Sequence, residues 1–535
     1  MKIRTKIIFT ILIAFLMVGA GGCGDADSGP TPTETVSQAV QVSPTEIATL
    51  PENTAVPEST PPAIEAPIGI DTPWDDRSVF RAGLITSEQD ALDEMPGANM
   101  YHMDIQISDD FLQLTGWEEV HYTNQEADSL PEIYFQLFPN AAGGQVAVSD
   151  VTVDDQEVAA AYEFENTALR VPLPTPLQPG ASVDIRLEFV VDVPQEMAGN
   201  YGLFGYFDEV LVLDEFYPVI PVYDDEGWNV QVPPPNADTS YFDMSFYLVR
   251  VTAPAGLTIA ASGVEVEQQT GNDRQIVTFA AGPMRDFYLA GSEHFAVVSA
   301  TVGETVLNSY VLQDHAQSAD TALQFARNAL HSFGERFGLY PYTEFDVLST
   351  PMLALGIEYP GIVGITLPAY DPAAEVAGLP FPIMLESVVA HEVAHQWFYN
   401  IIGNDQIDEP WLDEAHAQYA TWLYYLDVYG EAGAQGYRDS WDGRWQRVEG
   451  AEIPIGLPAY EYEGVEYGAI VYGRGPIFLE ALSEEMGAAA FDAFLRDYYE
   501  TEQWGIVTTE AYRQLAEAHC GCDLSALFES WVYPQ

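Results

Sequence analysis

From about residue 99 to residue 300 the chain alternates apolar and polar residues in short runs. Alternation with a period of two is typical of strands that bury one face. Stretches rich in proline, glycine and asparagine separate the runs and indicate turns. The clearest examples are DIQISDDFLQLTGWEEVHYTN, SVDIRLEFVVDV, FDMSFYLVRVTA and RQIVTFAAG. The pattern predicts an all-β domain of roughly 200 residues.

After about residue 300 the apolar residues recur at spacings of three and four, which is typical of helices that bury one face. Two strand-like runs, FDVLST and GIVGITLP, lie between the first two predicted helices. The predicted helices are TALQFARNALHSFGERFG, PIMLESVVAHEVAHQWFYNII, WLDEAHAQYATWLYYLDVYG, GPIFLEALSEEMG and AAFDAFLRDYYE. This half of the chain therefore predicts a mixed α/β or mainly helical domain, and the fold class is multidomain α+β.

The N-terminus predicts a secretory signal over residues 1–22. A basic stretch, MKIRTK, precedes about a dozen apolar residues and then small residues. The small residues before Cys23 resemble a bacterial lipobox, although Ala20 stands where Leu is usual. We expect Cys23 to carry a lipid that anchors the protein to a membrane at the cell surface. Simple secretion into the extracellular space is the alternative.

Residues 23–75 predict an unfolded tether. From Gly24 to Pro73 there are nine prolines, no Lys or Arg and no aromatic residue. Such a composition cannot bury enough apolar surface to fold. The predicted β-domain then spans residues 76–298 and the predicted catalytic domain residues 299–535.

The charge of the chain excludes some partners. The formal net charge is −64, and Lys2 and Lys6 are the only lysines. Nucleic acid requires basic patches, so we expect no nucleic-acid partner. Beyond Cys23 only Cys520 and Cys522 remain. The sequence places no set of His and Cys residues with metal-ligand spacing beside this pair, so free thiols or a local disulfide are favoured over a metal site.

The stretch HEVAHQW indicates a metal centre. His391 and His395 are four residues apart, so a helix places both imidazoles on one face with Glu392 beside them. Zn²⁺ takes imidazole nitrogen readily and needs a third ligand. Glu414, separated from His395 by eighteen residues, supplies a carboxylate. The spacing therefore predicts one Zn²⁺ per chain, held by two histidines and one glutamate. His416 faces another side of its helix and is expected to be a neighbour, not a ligand.

HEVAHQW followed by WLDEA resembles the aminopeptidase-N-like zinc peptidases, a gluzincin family that includes the leukotriene-epoxide hydrolases. LGIEYPG at 355–361 is similar to the family's Gly-x-Met-Glu-Asn motif, and VYGRG at 471–475 is similar to its Tyr-x-Lys-Gly motif. The four motifs occur in the family's order. The resemblance, which covers the chain from about residue 99 to the end, implies a saddle-like β-domain followed by a thermolysin-like zinc peptidase domain.

The resemblance also implies roles for individual residues. Glu392 would take a proton from water and pass it to the leaving amine. Tyr472 would stabilise the oxyanion of the tetrahedral intermediate. Glu358 and Gly356 would bind the substrate, with Glu358 holding the free α-ammonium of a peptide. The implied activity is a zinc aminopeptidase acting on extracellular peptides that have a free N-terminus.

The sequence departs from the family's motifs at two points and leaves alternatives open. Ile357 and Tyr359 flank Glu358 where the family has Met and Asn, and Arg474 replaces the usual Lys. The β-domain residue that the family adds to the amine site has no clear counterpart in LDEFYPVIPVYDD. A zinc endopeptidase or epoxide hydrolase could use the same metal site. A surface binding lipoprotein with a vestigial site is the alternative from another class.

Overall fold

The computed structural model describes residues 70, 72–197, 201–232, 234, 240–271, 273–376 and 378–534. The predicted signal, Cys23 and most of the tether lie outside these residues. Among the helices within them, none combines the length and the apolar character that a membrane span requires. The described residues form one compact unit with the bulk of their apolar core in a single connected cluster.

The first half is β-structure, as the alternating pattern predicts. Its main sheet has eight strands, and the alternation of buried and exposed residues is clearest in Ser182–Asp192. In sheet order the strands are Val264–Gly271, Arg274–Met284, Ser245–Pro254, Asn99–Ile107, Gln113–Thr123, Ser182–Asp192, Gln145–Val153 and Gln156–Glu157.

Two smaller sheets pack with the main sheet in this half. One has four strands, in the order Thr258–Ala261, Leu289–Ser292, Val210–Leu213 and Phe204–Phe207. The other has three strands, in the order Leu130–Gln136, Ala168–Leu177 and Ala161–Glu163. A short hairpin follows the strand Val210–Leu213 in sequence. It pairs Tyr223–Asp224 with Gly227–Trp228.

A five-stranded mixed sheet begins the second half. Its strands are β1 (Phe295–Val302), β2 (Thr305–Leu312), β3 (Glu344–Thr350), β4 (Gly356–Tyr359) and β5 (Ile362–Thr366). The sheet order is β1-β2-β3-β5-β4, so β4 is an edge strand, paired antiparallel with β5. Strand β4 contains Glu358 and contacts the helix Ile383–Ala394 described next.

The described residues contain seven α-helices of more than one turn. The first five correspond in order to the five predicted from the apolar spacing, whereas the last two were not predicted. The seven helices are α1 (Ala319–Arg336), α2 (Ile383–Ala394), α3 (Trp411–Trp445), α4 (Gly475–Met486), α5 (Ala488–Glu502), α6 (Thr509–Cys520) and α7 (Ser525–Trp531). Helix α3 runs past its predicted end but is interrupted at Gly430, where φ is 70°. The fold class, β-rich and then mainly helical, is confirmed.

The second predicted helix is shorter than its pattern suggests. The pattern runs to Ile402, but α2 ends at Ala394, and His395 caps it. The chain then turns, and Tyr399 has a φ of 114°, which no helix accommodates. Residues 395–402 remain almost fully buried, so their apolar character comes from burial in a loop and not from a helical face.

Arg285 of the β-rich half holds this loop in place. Its guanidinium is 2% exposed. It donates to the carbonyl oxygens of Tyr399 (2.7 Å), Gly505 (2.5 Å) and Phe242 (3.0 Å). A planar guanidinium with five donors can satisfy several carbonyls at once, which a loop without regular hydrogen bonds needs. The loop that follows the zinc-ligand helix is therefore fixed by a residue from the other half of the chain.

Candidate metal centre and active site

The three predicted metal ligands meet at one point. Nε2 of His391 and Nε2 of His395 lie 3.3 Å apart. Oε2 of Glu414 lies 3.2 Å from the first and 3.7 Å from the second. One ligand atom from each residue falls within 4.8 Å of the others, the separation expected of groups that share one ion. The last turn of α2 supplies the histidines, and the first turn of α3 supplies the carboxylate.

The residues present fit a zinc ion. Oε2 of Glu414 is buried and has no hydrogen-bond partner among the described residues. A buried carboxylate oxygen without a partner is costly unless a cation satisfies it. Two imidazole nitrogens and one carboxylate are the donor set that catalytic zinc sites use. The chemistry of the donors and the orphaned oxygen both favour Zn²⁺.

Asp413, which sequence reasoning missed, orients one of the ligands. Its Oδ1 accepts a hydrogen bond of 2.5 Å from Nδ1 of His395. This bond fixes the proton on Nδ1 and leaves the lone pair of Nε2 free for a metal. The sequence did contain a signal for this role. Asp413 directly precedes Glu414, so both carboxylates lie in the first turn of α3.

Glu392 is buried against the edge strand. A Cβ added to Gly356 would lie 2.3 Å from its Oε1, so only glycine leaves room for the carboxyl there. Glu392 also belongs, with Glu358 and His395, to a second group of potential ligand atoms that lie within 4.8 Å of one another. Glu392, the residue predicted to transfer the proton, thus adjoins the metal ligands. Gly356 leaves room for its carboxyl because it has no side chain.

Glu358 extends from β4 toward the metal ligands. Its Oε1 lies 3.9 Å from Nδ1 of His395. It lines a small cavity together with Asp214 and Gln406, among others. Asp214 lies in the stretch LDEFYPVIPVYDD, where sequence analysis found no counterpart for the family's β-domain residue. Its neighbour Glu215 has a φ of 40°, an uncommon conformation for a residue with a side chain.

Tyr472 reaches the metal centre from a π-helical segment, Ile470–Arg474. Its hydroxyl donates a short hydrogen bond to Oε1 of Glu414. Single π-helical turns often mark functional positions because they re-aim a side chain. The predicted tyrosine is therefore within reach of the ligands, although it lies 58 residues beyond Glu414 in the chain.

Arg474 secures the Tyr472 segment from behind. Its Nη1 donates to the carbonyl oxygens of Ile453 (2.7 Å) and Trp531 (2.8 Å), and its Nη2 donates to that of Ser530 (3.2 Å). The guanidinium lies 4.4 Å from the ring centroid of Trp531. These contacts use the planar fork and the flat face of arginine, which lysine lacks. The replacement of the family's Lys by Arg thus ties the tyrosine segment to α7.

Burial dominates the electrostatics of the site. It raises the pKa of the Glu358 carboxyl to about 8 and raises the pKa of Glu392 well above its usual range. It also raises the pKa of Asp214, and the charges of nearby carboxylates add to that shift. Burial acts the same way on Glu414, but contacts with His391 and His395 outweigh it and hold the Glu414 pKa below its usual range. Crowded, desolvated carboxylates of this kind favour cationic ligands.

Two further expectations concern residues outside the site. His416 donates or accepts a 2.9 Å hydrogen bond with the hydroxyl of Tyr512, and burial lowers its pKa to about 3. It belongs to neither group of potential ligands. Cys520 and Cys522 form a disulfide, which resolves the two alternatives left open for them.

Comparisons with known proteins agree with this geometry. Residues 321–531 match the peptidase family M1 domain. The chain is 23% identical over 417 residues to aminopeptidase 2 of Candida albicans, a match that covers 72% of this chain and 41% of that protein. It is 24% identical over 407 residues to aminopeptidase N of Lactococcus lactis, covering 72% of this chain and 46% of that protein. The match thus spans less than half the length of either relative.

The fold is similar to that of an M1 zinc metallopeptidase from Deinococcus radiodurans. The TM-score is 0.61 at 22% identity, and the match covers 82% of this chain and 93% of that structure. A mutant of the same protein, solved with a Tyr-Ser-Ala substrate, gives a TM-score of 0.59 at 22% identity and covers 81% of this chain and 94% of that one. The likeness extends over both halves of the chain and supports the order of β-rich and helical parts.

Proposed function

Because the chain belongs to the aminopeptidase-N-like family of zinc metallopeptidases, we propose that it is a zinc-dependent aminopeptidase. It would remove single residues from the free N-termini of peptides outside the cytoplasm. The observation that carries the proposal is the position of Glu358. Its carboxylate lies at the edge strand, 3.9 Å from a metal-ligand imidazole, and beside Asp214 in a small cavity.

His391, His395 and Glu414 would hold the metal. When bound, Zn²⁺ supplies Lewis acidity, which polarises the scissile carbonyl and acidifies the attacking water. Glu392 would accept the proton of that water and pass it to the leaving amine. Its carboxyl lies against Gly356 and beside the ligand atoms of His395.

Tyr472 would donate a hydrogen bond to the oxyanion that develops as the water adds to the carbonyl. A hydrogen-bond donor aimed at this point stabilises the negative charge as it develops. Its hydroxyl contacts Glu414 before substrate binds, so a short movement from that oxygen to the substrate would be enough.

Glu358 and Asp214 would bind the substrate's α-ammonium. Fixing a positive charge at this distance from the metal ligands would place the first peptide bond, and no later one, at the reacting groups. Asp214 would be the contribution of the β-rich half to the amine site, a residue that the sequence alone did not identify.

Hydrolysis of a panel of aminoacyl-arylamides tests the proposal. The free-amine substrates should be cleaved, the N-acetylated ones should not, and a chelator should abolish activity that added Zn²⁺ restores. An endopeptidase would cleave internal bonds in N-blocked peptides, and Glu358→Ala would leave that activity unchanged. Absence of chelator-sensitive turnover of every free-amine substrate would rule out the aminopeptidase.

We also propose that a lipid on Cys23 anchors the enzyme at the cell surface. The signal-like N-terminus and the small residues before Cys23 support this, as does the proline-rich stretch that follows. Expression of the full chain in a bacterial host with labelled fatty acid should label the wild type and not Cys23→Ser. Equal labelling of both would contradict the anchor.

A further inference from the structure

Gln406 connects the two parts of the active site. It lies in the loop between α2 and α3 and is 2% exposed. Its Nε2 donates to Oδ2 of Asp413 at 2.6 Å and lies 3.5 Å from Oε1 of Glu358. Asp413 in turn holds His395, so one carboxamide adjoins both the metal-orienting carboxylate and the residue proposed to hold the substrate's amine.

The hydrogen bond to Asp413 settles which way the carboxamide points. Asp413 also accepts from Nδ1 of His395, and a carboxylate oxygen accepts hydrogen bonds, so the amide nitrogen of Gln406 must face Oδ2 of Asp413. The opposite orientation would set the amide oxygen against an acceptor. Oε1 of Gln406 therefore does not face Asp413.

Oε1 of Gln406 is a buried acceptor with no hydrogen-bond partner among the described residues. Gln406 lines the cavity that also contains Glu358, Asp214 and Ser240. The volume of this cavity is about 20 Å³, which admits a single water-sized group. Buried acceptors are nearly always paired, so an unpaired one beside a cavity indicates that a donor is missing from it.

We propose that Oε1 of Gln406 accepts a hydrogen bond from the N-terminal ammonium of the substrate. This inference rests on the proposed function. An α-ammonium has three N–H donors, and Glu358, Asp214 and Gln406 supply three acceptors. Gln406 is thus a specificity-determining residue for peptides with a free amine.

The chemistry of a carboxamide suits this role. A third carboxylate in the same desolvated space would raise the repulsion between Glu358 and Asp214, whereas an amide oxygen adds an acceptor without a charge. An N-acetylated peptide would fail here for two reasons. Its amide nitrogen carries only one N–H, and it lacks the positive charge that carboxylates attract.

The competing interpretation is that Gln406 only orients Asp413, and through it His395, while water fills the cavity. The two interpretations differ in which ligands they affect. Loss of an amine acceptor weakens only ligands that have an ammonium. Loss of support for His395 weakens zinc and every ligand that binds beside it.

Calorimetric binding to the zinc-loaded full chain separates them, with Glu392→Gln in every variant so that the probe is bound and not hydrolysed. The probes are L-leucinamide and 4-methylpentanamide, which share the side chain and amide and differ in the amino group. Gln406→Met keeps the shape of the side chain without its polar atoms. We expect it to weaken L-leucinamide binding by about tenfold or more and to leave 4-methylpentanamide within about twofold. Zinc content should remain one per chain.

Gln406→Asn keeps a carboxamide, with both its donor and its acceptor, and should retain a preference for L-leucinamide over 4-methylpentanamide that Gln406→Met loses. It also covers the case in which Gln406→Met does not fold. Gln275→Met is the matched control, since Gln275 is a buried glutamine that bonds to the carbonyls of Pro254 and Leu257 in the β-rich half. It should change neither binding constant.

Three outcomes would overturn the assignment of Gln406. These are equal weakening of both probes in Gln406→Met, no weakening of either, or the same loss of preference in Gln406→Asn. Failure of the proposed function has a different signature, because the wild type itself would then show no preference for the free amine.

Discussion

Asp413 accepts a hydrogen bond of 2.5 Å from Nδ1 of His395, and the two residues come from different segments, the start of α3 and the end of α2. The carboxylate therefore holds the imidazole at a fixed rotation and keeps a proton on Nδ1, so that Nε2 is the nitrogen available to a metal. Through this bond, the packing of one helix controls the geometry of a metal ligand on another.

Replacing Asp413 with Asn should weaken zinc binding. The variant keeps the shape but removes the charge that makes His395 a better donor to the metal. Changes of this kind reduce metal affinity by about 10- to 100-fold. Competition with a chromogenic chelator measures the effect. Asp439→Asn, at an exposed position on the same helix, is the control. Unchanged affinity in Asp413→Asn would show that the hydrogen bond has no influence on the metal.

Tyr472→Phe should lower kcat and leave both KM and zinc content unchanged. Loss of one oxyanion donor typically costs about 10²- to 10³-fold in kcat. Steady-state kinetics on a free-amine arylamide gives both constants. Tyr460→Phe removes a hydroxyl from a tyrosine that is 60% exposed and should behave like the wild type. A rise in KM with kcat preserved would assign Tyr472 to binding instead.

Gly356→Ala should reduce activity by displacing Glu392. The added methyl would lie 2.3 Å from Oε1 of Glu392, too close for any real contact, so the carboxyl must move. A misplacement of about 1 Å can cost roughly 10²-fold in rate. Zinc content should stay at one per chain. Gly334→Ala, where the added methyl meets open space on α1, should retain full activity. Full activity in Gly356→Ala would mean that Glu392 does not need this position.

The metal ligands were predictable from the sequence because their spacing is local. His391 and His395 lie on one turn of one helix, and a helix converts a spacing of four into a shared face. Glu414 could be added because the next helix begins a short distance away. The β-rich half was predictable from apolar residues at every second position, and the helices from apolar residues at spacings of three and four. Both patterns depend only on residues that are close in the chain.

Asp214 and Gln406 could not be predicted in this way. Asp214 lies 144 residues before Glu358, and only the packing of the two halves brings them to one cavity. Gln406 lies in a loop whose path depends on the carbonyl contacts of Arg285. The error at the end of α2 has the same origin, since the apolar spacing to Ile402 could not distinguish a helical face from a buried turn.

Arg474→Lys should destabilise the protein even though lysine is the family's usual residue. The guanidinium bonds to three carbonyls and stacks on Trp531, and an ammonium cannot reproduce that geometry. We expect a loss of about 2 kcal/mol in the free energy of unfolding, measured by urea denaturation. Arg513→Lys, in an ion pair with Glu510 on the surface of α6, should cost less than about 1 kcal/mol. Equal losses in the two variants would contradict the prediction.

Asp286→Asn should make stability less dependent on pH. Burial raises the pKa of the Asp286 carboxyl to about 7, although Tyr399 and Arg285 lower it. The pKa of Asp286 is higher in the folded protein than in the unfolded chain. The carboxyl therefore adds its full contribution to the free energy of unfolding below about pH 4. That contribution is lost as the pH rises through 7. Asparagine does not titrate, so it avoids this loss.

The free energy of unfolding of Asp286→Asn, relative to the wild type, should therefore increase between pH 4 and pH 7. The expected scale is about 1.4 kcal/mol for each unit by which the two pKa values differ. Urea denaturation at several pH values gives the curve. A difference that stays constant across this range would show that Asp286 is not the titrating group.

Arg285 has a consequence for how this chain can be divided. Its guanidinium binds the carbonyls of Tyr399, Ile401 and Gly505, which all belong to the helical half. A fragment that began near residue 299 would expose these carbonyls and lose Asp214 from the cavity beside Glu358. The boundary between the β-rich half and the helical half is therefore a change in secondary structure and not a point at which the chain can be divided. A truncated helical half would be an incomplete enzyme.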